Sequence, residues 1–223
     1  MGYLPLFLDV ENALCLVVGG GRTAHRKADM LLQAGARVVA VSPRFMEAFA
    51  ELQEHFRSAL TLRAEAYAPG DLSAYRLVFA ATNDPALNET VARDAQRANL
   101  WVNVVDEPAL CSALCGAVLQ QGPVQIAVST GGACPSLAVA LRDELAAQYS
   151  DWTGAYASVL GSLRAWLLTR CSEAETRRRV LSRLSAAEVR DRFHGLETKA
   201  LLQALQTEAE ALLREFNRTD RPC

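Results

Sequence analysis

The residues best suited to chemistry begin with Gly19-Gly20-Gly21-Arg22-Thr23-Ala24. Their spacing is G-x-G-x-x-A, set between an apolar run and a helical pattern. Glycine at the first position permits a tight turn. Glycine two residues on lets backbone N–H groups approach a pyrophosphate at the positive end of a helix. A plain structural turn would use the same residues, but the strand before and the helix after favour a dinucleotide. The usual acidic partner of the ribose 2′-hydroxyl after the second strand is absent, and Val41-Ser42-Pro43-Arg44 stands in its place. Arg44 suits the 2′-phosphate of NADP or stacking on adenine. The residues alone therefore leave NAD and NADP both open.

Three more constellations follow. In Ala80-Ala81-Thr82-Asn83-Asp84-Pro85, Thr82 can hydrogen-bond a cofactor, whereas Asn83 and Asp84 serve a helix-capping loop equally well. Asn103-Val104-Val105-Asp106 brings a carboxylate to where a nicotinamide ring would lie. Asp106 could take up a proton as a hydride leaves a substrate, or merely cap the next turn. Ser129-Thr130-Gly131-Gly132, ahead of Pro135, offers backbone N–H groups to carboxylates or phosphate, the alternative being a glycine-rich bend. Of the cysteines, at 15, 111, 115, 134, 171 and 223, three lie close enough in sequence to raise a metal cluster. They lack paired Cys-x-x-Cys or a matching histidine pair. Reduced cysteines packed as small apolar groups, and no resident metal, are expected. His25, His55 and His194 are too scattered in sequence to suggest a metal triad.

These residues need a scaffold. Apolar runs over 13–18, 36–41, 76–82 and 101–105, with an alternating run over 60–67, read as five strands. Helical patterns over 23–34, 45–56 and from Asp84-Pro85 to about Ala98 lie between them, and Gly35 stops the first. This alternation predicts an α/β fold with a Rossmann-type doubly wound parallel sheet. From Pro108 the rhythm changes to a hairpin, 114–119 and 124–129 around Gln120-Gln121-Gly122-Pro123, then a helix over 135–148. Beyond Asp151 only helical signal remains. Ser172-x-x-Glu175 and Ser185-x-x-Glu188 read as capping boxes, and Gly195 separates two helices. Leu201, Leu202, Leu205, Leu212 and Leu213 carry an apolar stripe to Phe216, before an end expected to fray over 217–223. The expected divisions are a nucleotide-binding domain over 1–112, a small α+β dimerisation and substrate segment over 113–150, and a helical domain over 151–223.

At 223 residues and 51% hydrophobic, the chain suits one or two soluble domains. A net charge of −2 argues against a surface built for nucleic acid. No apolar run approaches membrane-spanning length, and the start, MGYLPLFLDVEN, has neither the basic n-region of a signal peptide nor the Ser/Thr of a myristoylation signal. A cytoplasmic protein is expected.

Taken in order, the motifs resemble the sirohaem synthase N-terminal family: precorrin-2 dehydrogenase, often also sirohydrochlorin ferrochelatase. The resemblance is carried by Tyr3-Leu4-Pro5-Leu6-Phe7, Cys15-Leu16-Val17-Val18-Gly19-Gly20-Gly21, Ala24 with Arg26-Lys27, and Gly35-Ala36-Arg37-Val38. It continues through Ala80-Ala81-Thr82-Asn83-Asp84 with Asn88, Asn103-Val104-Val105-Asp106, and Ser129-Thr130-Gly131-Gly132 with Pro135. It covers about residues 3–148; the tail matches only as a helical extension. The resemblance implies that NAD accepts a hydride from precorrin-2, giving sirohydrochlorin. Some members then insert ferrous iron, and cobalt in related pathways, so Fe2+ or Co2+ would be substrate only. It further implies Asp106 as general base, Arg22, Thr23, Pro43 and Arg44 near the nucleotide, and a homodimer built through the segment after the first domain. The eight carboxylates of the tetrapyrrole could meet Arg22, Arg44 or Arg142. Members usually carry proline at Gly116 and serine at Cys134, and Arg22 stands where an acidic residue is common. The chain is too short to include the methyltransferase domain fused in trifunctional members. A non-catalytic nucleotide-sensing module would usually keep the acidic residue after the second strand and lack both Asn-Val-Val-Asp and Ser-Thr-Gly-Gly.

Overall fold

Four short apolar segments and one alternating edge segment form one parallel sheet: β1 (Leu14–Val18), β2 (Arg37–Val41), β3 (Leu60–Arg63), β4 (Leu77–Ala80) and β5 (Trp101–Val104). The structure is a computed structural model that describes residues 2–219, with side chains through residue 216. Helices α1 (Arg22–Gln33), α2 (Ala48–Phe56) and α3 (Pro85–Arg97) connect the strands, and the sheet order is β3-β2-β1-β4-β5. Alternate residues of each strand enter opposite layers. Cys15, Val17, Val38, Ala40 and Phe79 pack under α1 and α2 through Ala24, Ala28, Leu31 and Phe49. Leu16, Val18, Val39, Val78, Ala80 and Val102 pack against Val91, Ala92 and Ala95 of α3. Both faces are covered, so the strands read as continuous apolar runs, the signature of a doubly wound parallel sheet. Burial raises the Cys15 thiol from 9.0 to about 11, consistent with a reduced, packing cysteine.

The chain divides into two compact units, Met1–Cys115 with Gly131–Ala133, and Gly116–Thr130 with Cys134–Cys223. In the second, β6 (Ala117–Gln121) and β7 (Val124–Val128) form an antiparallel hairpin followed by α4 (Pro135–Gln148). Then come α5 (Asp151–Leu168), α6 (Ala174–Leu184), α7 (Ala187–Arg192) and α8 (Thr198–Thr219). Tyr156, Val159, Leu163 and Leu167 of α5, Val180 and Leu184 of α6, and Leu201, Leu205, Ala209 and Leu212 of α8 make its core. Their three- and four-residue spacing places each set on one helical face, and each buried leucine contributes about 1.5–3 kcal/mol. The hairpin turn approaches α5 so closely that a Cβ on Gly154 would overlap the Gln121 carbonyl oxygen. No helix among the described residues is long and apolar enough to cross a membrane.

Several sequence expectations are corrected. The third strand stops at Arg63, because its partner β2 ends in register at Val41; the alternating residues beyond find no ladder, and Tyr67 instead donates to Asp94 on α3. The second helix begins at Ala48 rather than Phe45. Neither capping box forms: the N-cap position of α6 is Glu173, which makes no side-chain cap and accepts instead from the Thr176 hydroxyl, while Ser185 donates back to the Leu181 carbonyl at the end of the same helix. Gly195 does separate α7 from α8, at φ +83°. Of the end expected to fray, α8 runs to Thr219, and residues 220–223, including Cys223, lie outside the described residues.

Candidate functional site

Parallel pairing brings the strand ends that carry the candidate residues to one edge. Val18 pairs with Ala80, and Ala80 with Val104. One residue further, the Gly19 N–H donates to the Val41 carbonyl, Ala81 N–H to Val18, and Val105 N–H to Ala80. The connections leave β1 and β4 in opposite directions, which opens a crevice at this carboxyl edge.

The three glycines do three different things. Gly19 lies at φ +133°, and a Cβ there would overlap the Ala81 carbonyl oxygen. Gly20 faces the loop after β2: a Cβ would overlap the Arg44 carbonyl oxygen and come within 2.7 Å of Ser42 Oγ. Ser42 Oγ donates to that same carbonyl at 2.7 Å, and Met46 N–H donates to Gly20 at 2.9 Å, so the Pro43-Arg44 loop is seated on the turn with both residues exposed. Gly21, the N-cap of α1, would carry a Cβ into open space. Among the described residues none crowds that position, so a ligand has room to lie against the backbone there.

The helix ends reinforce this contrast. Asp84 caps α3 by accepting from the N–H groups of Ala86 and Leu87. The N-terminus of α1 has no side-chain cap and no acidic residue in its first turn, where Arg22 is exposed and Thr23 half-buried. Open N–H groups, the dipole and an arginine suit a diphosphate, so the residues present fit a dinucleotide.

The other predicted contacts fall into two groups. The Thr82 hydroxyl lies 2.7 Å from Asn88 Oδ1 and accepts from Asp84 N–H; the buried Asn88 amide donates back to the Thr82 carbonyl. Thr82 is thus built into the loop, and Asn88 is a shaping residue whose role the sequence pattern did not reveal. Asn103 is buried and donates to the Ala113 carbonyl at 3.0 Å, turned towards the chain that covers β5. Asp106 is exposed, at φ +62°, and among the described residues none hydrogen-bonds its carboxylate. Aspartate tolerates this left-handed backbone better than most residues. It stands two strands from the glycine turn, a separation of about 10 Å from the usual inter-strand spacing.

Gly131 and Gly132 adopt left-handed backbone at φ +64° and +87°. Thr130 Oγ1 accepts from the Cys134 N–H at 3.0 Å, and Cys134 is the N-cap of α4. Arg142 is engaged by its neighbour Asp143 at 2.6 Å. At Gly116 a Cβ would come within 2.5 Å of the Val128 carbonyl oxygen, so the backbone as it stands leaves no room for a side chain there. Contact with Ser136 Oγ, 3.3 Å away, and then the Leu137 backbone hold the Cys134 thiol below its ordinary value. Iodoacetamide should therefore alkylate Cys134 with a pH midpoint below the usual thiol value of about 8.5. Ser136→Ala should move that midpoint upward; peptide mapping of the adduct across a pH series reads both, and no movement would discount the serine contact. Among the described residues no three His, Cys, Asp or Glu side chains come together as a metal site, and the described cysteines are free thiols.

A family model described as NAD(P)-binding matches residues 6–117. The chain belongs to this NAD(P)-binding family. A second model, described as the central part of a sirohaem biosynthesis protein, matches residues 121–148, the hairpin and α4. Among curated relatives, a sirohaem synthase of Nitrosospira multiformis is 37% identical over 224 residues, covering 100% of this chain and 46% of its own. One of Methylococcus capsulatus is 36% identical over 215 residues, covering 96% and 43%. The chain thus spans less than half the length of these relatives. Among solved structures, SirC, precorrin-2 dehydrogenase, superposes with a TM-score of 0.73 at 23% identity, covering 92% of this chain and 100% of that one; the likeness establishes the fold. The resemblance to the sirohaem synthase N-terminal family is borne out, and the glycine turn falls within the NAD(P)-binding match.

Proposed function

We propose that the protein is an NAD-dependent dehydrogenase that oxidises precorrin-2 to sirohydrochlorin on the way to sirohaem. The observation that carries this reading is an exposed Asp106 carboxylate, without a hydrogen-bond partner among the described residues, at the sheet edge that also presents the uncapped start of α1. The sirohaem synthase relatives supply the substrate class.

In this reading Gly19, Gly20 and Gly21 form the turn under the diphosphate, with Arg22 and Thr23 in the first helical turn and Pro43 and Arg44 beside the adenosine. Thr82 and Asn103 shape the crevice from within. NAD supplies the hydride acceptor. Asp106 takes the proton that the tetrapyrrole loses with the hydride. Ser129, Thr130, Gly131 and Gly132 are assigned to binding the tetrapyrrole carboxylates.

The same carboxylate is equipped to accept pyrrole protons as ferrous or cobaltous ion, a substrate rather than a resident cofactor, enters sirohydrochlorin. The competing reading, dehydrogenase alone, is favoured by Gly116 and Cys134, where the family's usual proline and serine are replaced. We assign the segment over 113–150 to homodimer formation, a reading supported by the exposed Val118, Leu137, Val139 and Leu141 on β6 and α4. The remaining parts are the nucleotide domain over 1–112 and the helical domain over 151–223, in a cytoplasmic protein.

The test mixes the purified protein with precorrin-2 and NAD, then adds ferrous or cobaltous ion. Sirohydrochlorin absorbance rising with NADH at one-to-one stoichiometry is the expected first result. A metallated spectrum appearing faster than in protein-free solution would establish chelation, and its absence the dehydrogenase-only form. No NADH from precorrin-2 would overturn the proposal.

A further inference from the structure

Three backbone groups around Asp106 converge on one thiol. Cys111 Sγ accepts from the Val104 N–H at 3.1 Å, and stands 3.3 Å from the Val104 carbonyl oxygen and 3.4 Å from that of Glu107. Its single proton serves one carbonyl at a time. Asn103 Nδ2 approaches the same sulfur at 3.7 Å. Burial, the largest influence, raises the thiol above its ordinary value, so it remains a neutral donor and acceptor.

Part of this arrangement is explained by the sheet. β5 is an edge strand, and its outward backbone groups need partners. Ser112 Oγ accepts from the Val102 N–H at 2.8 Å, the N–H groups of Ser112 and Ala113 donate to the Val102 carbonyl, and Cys111 serves Val104. Edge cover does not explain the contact with Glu107, which lies beyond the strand. That contact makes Cys111 a tie across residues 104–107, whose left-handed member is Asp106. The bulk and reach of sulfur suit contacts to three backbone groups, where the Ser112 hydroxyl makes one.

We infer that Cys111 is a positioning residue for the Asp106 carboxylate, its thiol closing both ends of the turn that presents that group to the crevice. The inference rests on the proposed role of Asp106 as proton acceptor. With the tie cut, the turn samples other conformations, and a carboxylate displaced by about 1 Å loses up to about a hundredfold in rate.

The test measures kcat with precorrin-2, NAD affinity and amide hydrogen exchange for Cys111→Ala and Cys111→Ser, in the native chain and in an Asp106→Asn background. Cys111→Ala should speed exchange at 104–107 and lower kcat by about tenfold to a hundredfold with NAD affinity unchanged. It should cost nothing further when Asp106 is already asparagine. Cys111→Ser, retaining a shorter donor and acceptor, should recover part of the loss, and it carries the test if the alanine variant misfolds. Equal losses in both backgrounds, or full kcat despite faster exchange, would overturn the inference and leave the base assignment standing. Full activity of Asp106→Asn by itself would remove both.

Discussion

Asp106→Asn is expected to cut NADH formation from precorrin-2 by about 10²- to 10⁴-fold, the range for removing a positioned acid or base, while NAD binds as before. Asparagine is the informative replacement because residue 106 sits at φ +62°. Asparagine tolerates that backbone nearly as well as aspartate, whereas alanine would add about 1 kcal/mol of left-handed strain and blur loss of the carboxylate with distortion of the turn. No described residue hydrogen-bonds this carboxylate, so the amide should orphan no partner within the protein. Steady-state NADH fluorescence with NAD titrated independently separates the two steps. Undiminished turnover would take Asp106 out of the reaction.

Gly21→Asp should move stability and binding in opposite directions. Residue 21 has the extended backbone of an N-cap, at φ −90° and ψ −174°, with open space where its Cβ would go. An aspartate there can accept from the first-turn N–H groups of α1 and stabilise the fold by a few tenths of a kcal/mol. It would also set a negative charge where the diphosphate lies, costing about 4 kcal/mol at a 4 Å separation near a protein surface, and about 10²- to 10³-fold in affinity. A melting temperature that holds or rises together with weakened NAD binding is the expected pair of results. Gly20→Ala is the control, because its Cβ would overlap the Arg44 carbonyl oxygen and so lower stability and binding together. Unchanged NAD affinity in Gly21→Asp would contradict the diphosphate site.

Much of this was readable from local pattern, since a strand buried on both faces shows as an unbroken apolar run. That signal marked β1, β2, β4 and β5, and glycine after the first strand with Asp84-Pro85 before α3 located the two helix starts at the crevice. What escaped is what depends on partners distant in sequence. The alternation through Tyr67 looked like a longer third strand, but β2 ends at Val41 and leaves nothing to pair with. Asn103 sits at a strand end where cofactor contacts are common, yet its amide is directed at Ala113, ten residues on. Cys111 looked like one of six packing cysteines; only the folded path from β5 to residue 111 reveals its three backbone contacts. The capping-box patterns were present in sequence, but each serine falls one residue before the N-cap position of its helix.

The strip over 111–113 that shields the outer side of β5 also sets where the nucleotide-binding half can be cut free. A fragment ending before Cys111 would bare the N–H and C=O groups of Val102 and Val104 beside an already exposed Trp101. Such a margin recruits further strands from neighbouring molecules. A fragment that keeps residues 111–113 keeps those backbone groups paired and the margin closed to further strands.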